Sequence, residues 1–278
     1  MARVPSAVNG ERGPVEPFID APRQLHPMKE EPPVTDIDAL KNELVLANRI
    51  LASQGVVDAF GHVSMRNPGN PKRFFLSRSR SPELVEMSDI MEFDFEGNIT
   101  DGRTEPGYHE RFIHAGAYEA NDEVNAVVHS HALEVLPFSI SSVPLRACVH
   151  TASAVGMEIP VWDIRDKFGD TGLLVVNVAH GRDLAKTLGK HKVALMRGHG
   201  FTAVGRTLGE VLKISIYVPQ NAKVQKEALA LGGDVKFLSA GEIAVRDADG
   251  PGGKDLFRAM QYWANKAGCS HMLDYGKK

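Results

Sequence analysis

The segment Ala126-Val127-Val128-His129-Ser130-His131 constrains this chain more than any other. Its apolar run reads as a strand, and along a strand residues i and i+2 face the same side. His129 and His131 therefore present two imidazoles in one direction from a strand end. A third histidine sits in Arg197-Gly198-His199-Gly200, just after the apolar run at 192–197, where flanking glycines let backbone and side chain approach a ligand closely. Three imidazoles with an open position make the ligand count of a catalytic Zn²⁺, and the set suits Mn²⁺ or Fe²⁺ as well. Read alone, the pair favours two ordinary strand-end histidines. The third histidine, at a second strand end, brings the metal reading level with that one.

Composition narrows the remaining classes. With 278 residues, 43% hydrophobic and 24% charged, the chain is long enough for a sizeable core and is neither disordered, collagenous nor coiled-coil as a whole. Lys+Arg 32 against Asp+Glu 35 leaves a net charge of −3, with no basic run interleaved with aromatics. The footprint of a nucleic-acid binder is missing, and a small molecule is the expected partner. Cys148 and Cys269 are the only cysteines and form no CxxC, so neither a disulfide framework nor a cysteine zinc site is available, and a reducing compartment fits. The first 35 residues carry seven of the sixteen prolines and no apolar run, so they lack the core of a secretory signal. They read as an extended arm, either a disordered tail or a strap over a neighbouring subunit, ahead of a catalytic domain over 36–278 with a C-terminal helical extension. No later stretch approaches the ~18 apolar residues of a membrane helix, so the expectation is a cytoplasmic protein with no membrane partner.

The coarse pattern is mixed α/β. A helix runs from a candidate N-cap at Thr35 to a stop at Gly55, with Leu40, Leu44, Ala47, Ile50 and Leu51 at helical spacing. Strands follow at 62–66, 74–77 and 91–95, a helix at 108–120 and a strand at 125–129. Next come a helix near 132–140, a strand at 173–178, a helix at 182–188, a strand at 192–197 and a long helix from Thr207, which Pro219 is expected to kink or split. Phe257, Met260, Tyr262 and Trp263 mark a further helix that packs on the body or on a neighbour. With no linker or repeat, this is one α/β domain.

A metal site that does chemistry needs an acid or base, and Tyr108-His109-Glu110-Arg111 opens the helix leading back to the histidine strand. A carboxylate there also suits a helix N-terminus, so a merely stabilising Glu110 is the competing reading. The ordered series Gly61-His62-Val63-Ser64, Ser77-Arg78-Ser79-Arg80, Glu110, Asn125 through His131, and Arg197-Gly198-His199-Gly200 resembles the class II aldolase/adducin family from about residue 36 to about residue 232. The resemblance implies an α/β/α fold with a central, largely antiparallel sheet flanked by helices, and a homotetramer with its active site at a subunit interface. It also implies His129, His131 and His199 as ligands of a divalent metal ion, with Mn²⁺ foremost and Zn²⁺ or Fe²⁺ next. Glu110 matches the family's acid/base glutamate.

The departures decide the reaction. Where the sugar-phosphate aldolases of the family cradle a phosphate with Gly-Asn, Thr-Gly and two serines, this chain has Gly61-His62, Ser79-Arg80 and Tyr108-His109. A guanidinium and large rings replace small donors, and an arginine fork binds a planar carboxylate bidentately. His62, Ser79 and Arg80 are therefore expected to bind an aromatic or heteroaromatic carboxylate, with Phe60, Tyr108 and His109 lining a slot for its ring; solvated loop charges are the competing reading of Arg78 and Arg80. Within the family this resembles the branch that decarboxylates hydroxylated aromatic dicarboxylates. The expected reaction is metal-dependent loss of CO₂ from 3-hydroxy-2-methylpyridine-4,5-dicarboxylate, a diacid of vitamin B6 degradation. Glu110 is expected to move the proton at carbon with a pKa raised by burial near the ring, assisted by His109 or Tyr108. A sugar-phosphate aldolase or epimerase, a non-haem iron oxygenase and a non-catalytic adducin-like module are the rivals. His114, one helical turn beyond Glu110, reads as a packed helix residue, with support of the site from behind as its alternative; His150, His180 and His191 read as structural or surface residues, and Asp249 through Gly253 as a turn.

Overall fold

Period-two alternation of apolar side chains decides the architecture, because it gives each strand two buried faces. The computed structural model describes residues 36–273. Strands β1 (His62–Arg66), β2 (Arg73–Ser77), β3 (Ile90–Asp94), β4 (Ala126–Ser130), β5 (Val161–Trp162), β6 (Val193–Met196) and β7 (Gly200–Gly205) form one seven-stranded sheet in the order β3-β2-β1-β4-β7-β6-β5. Every neighbouring pair is antiparallel except β5 and β6. The helices are α1 (Ile37–Ser53), α2 (Arg111–Ala120), α3 (Leu136–Ser139), α4 (Arg165–Phe168), α5 (Val178–Leu188), α6 (Leu208–Ala230), α7 (Ala240–Asp247) and α8 (Leu256–Lys266).

Side chains Val63, Phe75, Ala126, Val128, Leu195 and Ala203 lie on one face of the sheet, in a core completed by α1, α6 and α8. The residues between them, Phe74, Leu76, Val127, Ala194 and Val204, face a second core built on α2 and α5. The result is a mixed, largely antiparallel sheet between two helical layers, as the sequence pattern implies. Burial on both faces is why β4 is apolar at every position up to His129.

Several boundaries differ from the sequence reading. Asp36 caps α1 in place of Thr35, its carboxylate accepting from the amides of Asp38 and Ala39. The helix expected at 108–120 starts at Arg111, which leaves Tyr108, His109 and Glu110 in the approach to it. The run 173–178 is no strand. Its backbone is used by other partners, and Asn177 caps α5 through the amide of His180. The run at 200–205 is a full strand, β7, and the stretch near 132–140 is a 3₁₀ turn followed by the single turn α3. Pro219 does not split α6, which continues for 23 residues with buried positions on both sides of the proline. Packing against β4 and β7 carries the helix past the missing hydrogen bond. The helix expected around Trp263 is α8, with Trp263 buried and Tyr262 exposed. The arm expected over residues 1–35 lies outside the described residues, and among those described no helix is long and apolar enough to cross a membrane.

Candidate metal centre

Strand β4 delivers His129 at its end and His131 two residues later, and the hairpin between β6 and β7 delivers His199. The Nε2 atoms of His129 and His199 lie 2.9 and 3.0 Å from Nε2 of His131. Glu110 completes the cluster, with Oε2 3.4 Å from His129, 3.4 Å from His199 and 3.8 Å from His131. One ligand atom from each of the four residues falls within 4.8 Å of every other.

Backbone carbonyls set the orientation of two rings. Nδ1–H of His129 donates to the carbonyl of Phe201 at 3.1 Å, and Nδ1–H of His199 donates to the carbonyl of Leu173 at 3.0 Å. Each bond keeps the proton on Nδ1 and leaves an Nε2 lone pair for a cation, the usual support of a metal-bound imidazole. Leu173 adopts a left-handed backbone conformation (φ 65°), a strained state for a leucine that puts its carbonyl under His199. Gly200 is required by contact: a Cβ there would fall 2.0 Å from the carbonyl oxygen of Ser130. Three imidazole Nε2 atoms and a carboxylate oxygen converging on one point, with the tautomers of His129 and His199 locked from behind, fit a divalent cation by donor type and count.

Glu110 is the N-cap residue of α2 by position, yet its side chain makes no capping bond. Oε1 accepts from the amide of Val175 at 3.0 Å, which turns Oε2 toward the imidazoles. The reading of Glu110 as a helix stabiliser therefore fails. The expectation of a raised pKa fails as well: burial pushes the carboxyl up, but the three imidazoles around it, His129 foremost, outweigh burial and hold the group well below the usual carboxylate range. Glu110 is ionised.

Beside this cluster opens a cavity of about 480 Å³ lined by Phe60, His62, Ser79, Arg80, Tyr108 and His109, with Glu110 and His131 in the same wall. Among the described residues cavities of about 600 and 540 Å³ are larger, but His129, His131, His199 and Glu110 line neither. The cavity beside the cluster thus gathers seven of the nine residues singled out from the sequence, all but His129 and His199, which belong to the cluster itself. Arg80 is held from two directions. Its Nη1 donates to Asp89 at 2.9 Å, and its carbonyl accepts from the Tyr108 hydroxyl, which in turn accepts from Ser77 at 3.2 Å. Asp89 also takes Arg78 at 2.5 Å, and although burial works against it, a backbone amide and the two guanidiniums keep this carboxyl low. The Arg80 guanidinium is therefore an anchored fork, and the Tyr108 hydroxyl is committed to the backbone while its ring lies 4.5 Å from that of His62. His109 is exposed at the cavity.

Sequence reasoning missed three partners that hold these groups: Asp89, the carbonyl of Leu173 and the amide of Val175, none of which carried a local signal. His114, singled out by its place one turn after Glu110, stands behind His62, the supporting place of its alternative reading.

Comparison with known proteins adds the following. A model of the Class II Aldolase and Adducin N-terminal domain matches residues 42–226. Decarboxylase tropJ of Talaromyces stipitatus is 39% identical over 195 residues, which cover 66% of this chain and 73% of that protein. A 3,4-dihydroxyphthalate decarboxylase of Arthrobacter keyseri is 28% identical over 222 residues, covering 76% of this chain and 87% of the relative. Among solved structures, an L-fuculose 1-phosphate aldolase from Glaciozyma antarctica superposes with a TM-score of 0.65 at 23% identity, covering 85% of this chain and 96% of that one. At that identity the likeness speaks for the fold alone.

Proposed function

The chain belongs to the class II aldolase and adducin family, and from that premise we propose that it is a metal-dependent decarboxylase of ortho-hydroxylated aromatic or heteroaromatic dicarboxylates. The observation that carries this reading is the shared cavity, in which a three-histidine cluster and an ionised Glu110 meet an anchored arginine fork and flat ring walls. The substrate proposed is 3-hydroxy-2-methylpyridine-4,5-dicarboxylate, converted to 3-hydroxy-2-methylpyridine-5-carboxylate and CO₂. The relatives named for 3,4-dihydroxyphthalate support the same substrate pattern, a hydroxyl ortho to one of two vicinal carboxylates.

Loss of CO₂ from an aromatic ring leaves an electron pair that needs a sink. His129, His131 and His199 would hold the divalent ion, with Mn²⁺ proposed, which when bound supplies Lewis-acid stabilisation of negative charge on oxygen. The remaining work falls to side chains. Ionised Glu110 accepts the proton of the ortho hydroxyl and returns it to the ring carbon that carries the departing carboxylate. The carbon–carbon bond then breaks, CO₂ leaves, and its bonding pair restores the aromatic ring with the charge on the former hydroxyl oxygen, which takes a proton from solvent. A carboxylate in the resting state suits this order of events, since the first transfer requires a base. Arg80 and Ser79 hold the second carboxylate and fix the ring without reacting. Phe60 and Tyr108 form the ring walls, and His109 assists proton exchange at the open side. A homotetramer in the cytoplasm is part of the same proposal.

The test is CO₂ release and the accompanying ultraviolet change on purified Mn²⁺-loaded protein, with a chelated control. The pyridine diacid and 3,4-dihydroxyphthalate are offered separately. Metal-dependent release from one of them supports the reading and selects the ring; no release from either, in protein shown to contain metal, overturns it.

A further inference from the structure

Behind the cavity wall, four buried side chains form an unbroken hydrogen-bonded file. Tyr118 Oη lies 2.7 Å from Ser64 Oγ, Ser64 Oγ lies 2.6 Å from His114 Nδ1, and His114 Nε2 lies 2.6 Å from His62 Nδ1. All four side chains are buried, Ser64, His114 and Tyr118 completely. Strand β1 supplies His62 and Ser64 on one face, and helix α2 supplies His114 and Tyr118 four residues apart, so each pair follows from the period of its element.

The direction of the file follows from counting protons. Tyr118 is a phenol with its proton kept on by burial, and its hydroxyl has the Ser64 oxygen as its one hydrogen-bond partner among the described residues, so Tyr118 donates. Ser64 then has a single proton left and one remaining partner, Nδ1 of His114, to which it donates. His114 has no carboxylate in contact and is neutral in its buried setting, so its one ring proton is on Nε2 and points at Nδ1 of His62. His62 accepts at Nδ1 and carries its own proton on Nε2. That nitrogen has no partner among the described residues, and His62 lines the cavity.

We propose that Tyr118, Ser64 and His114 act as positioning residues that lock His62 as an Nε2–H donor, so that the substrate atom set against it is a hydrogen-bond acceptor such as a carboxylate or phenolate oxygen. The proposal rests on the decarboxylase reading for the nature of that oxygen, while the tautomer is a property of the protein alone. Without the file, a neutral imidazole could present either a donor or a lone pair to the cavity, and a lone pair would repel the anion that Arg80 draws in.

The test begins on full-length, ¹⁵N-histidine-labelled, Zn²⁺-loaded protein, where long-range proton–nitrogen correlation spectra report which nitrogen of each ring is protonated. The His62 signals are identified as those lost in His62→Gln. The expected result is a His62 ring protonated at Nε2 and bare at Nδ1; a proton at Nδ1 overturns the proposal. In Tyr118→Phe, which removes one oxygen and keeps the ring, Ser64 is free to turn. The His62 signals are then expected to shift toward the average of two tautomers, with KM for the diacid raised up to about tenfold, the weight of one hydrogen bond, and kcat changed less. A folded Tyr118→Phe protein with the His62 signature unchanged overturns the relay. If the variant does not fold, the spectrum of the unmodified chain still decides. Protein with the expected tautomer that releases no CO₂ supports the relay and overturns the decarboxylase reading; CO₂ release with the opposite tautomer does the reverse.

Discussion

Glu110 owes its ionisation to its neighbours, and the same neighbours separate its role from theirs. Three imidazoles suffice to hold a catalytic divalent ion. Glu110→Gln keeps the acceptor for the Val175 amide and removes only the base, so bound metal is expected to persist while turnover falls by about 10²-fold or more, measured by metal analysis beside the CO₂ assay. An unchanged rate would remove Glu110 from the proton transfer. His129→Ala should lose metal and activity together, because its ring is fully buried and anchored by Phe201. Retention of both would sink the ligand assignment. Arg80→Ala tests the fork: losing a charge-assisted pair with the spectator carboxylate should raise KM by about tenfold to hundredfold and touch kcat less. A variant with unaltered KM would return Arg80 to the solvated loop.

At the scale of elements, the position of Glu110 depends on how closely α2 approaches α5. A Cβ added at Gly181 would lie 2.1 Å from the carbonyl oxygen of Phe112, and one at Gly116 would lie 2.4 Å from that of Gly181. These are backbone contacts with no flexible side chain to give way. Gly181→Ala is therefore expected to push the helices apart and cost about 1–3 kcal/mol, read as a lower urea midpoint. Because α2 follows Glu110 directly, the same change should lower activity in the folded fraction; a variant of undiminished midpoint would show that the gap closes without cost. The sheet itself was legible wherever burial repeats with a short period, as in β1, β2 and β4, and so was the histidine pair that β4 carries. Legibility ends where backbone groups find distant partners. Residues 173–178 have a strand's composition, but their carbonyls and amides serve His199, Glu110 and the cap of α5. Strand β7 escaped notice because glycines bracket it and read as punctuation. The raised pKa expected for Glu110 followed from burial alone, whereas its surroundings include three imidazoles brought by two strand ends.

The whole molecule keeps neutral histidines in its interior, and this makes its stability depend on acidity. Burial lowers the pKa of His114 from 6.5 to about 3, with His129 adding to the shift. Between those values the unfolded chain binds a proton that the folded chain refuses, so stability rises with pH across that window and is lost as pH falls below 6.5. His129 acts in the same sense, taken down to about 4 chiefly by its own burial. Glu110 adds a loss of its own further down: its depressed pKa contributes stability above the ordinary carboxylate value that disappears as pH falls below it. For His114 alone the cost between pH 6.5 and 4 is about 3 kcal/mol, at about 1.4 kcal/mol per pH unit. That is a substantial part of a typical domain's ~5–15 kcal/mol. Urea titrations of chelated protein at stepped pH are expected to show the midpoint falling from pH 6.5 downward, well before ordinary carboxylates titrate. In metal-loaded protein at pH 7 the midpoint should lie higher, since an ion that binds only the folded state adds about 4 kcal/mol at a thousand times its Kd. That increment should vanish on acidification as protons displace the ion from the imidazoles. A midpoint that stays level from pH 7 to 5 in the chelated protein would mean that these histidines are not held neutral, and the hydrogen-bonded file behind His62 would lose the proton count on which its direction depends.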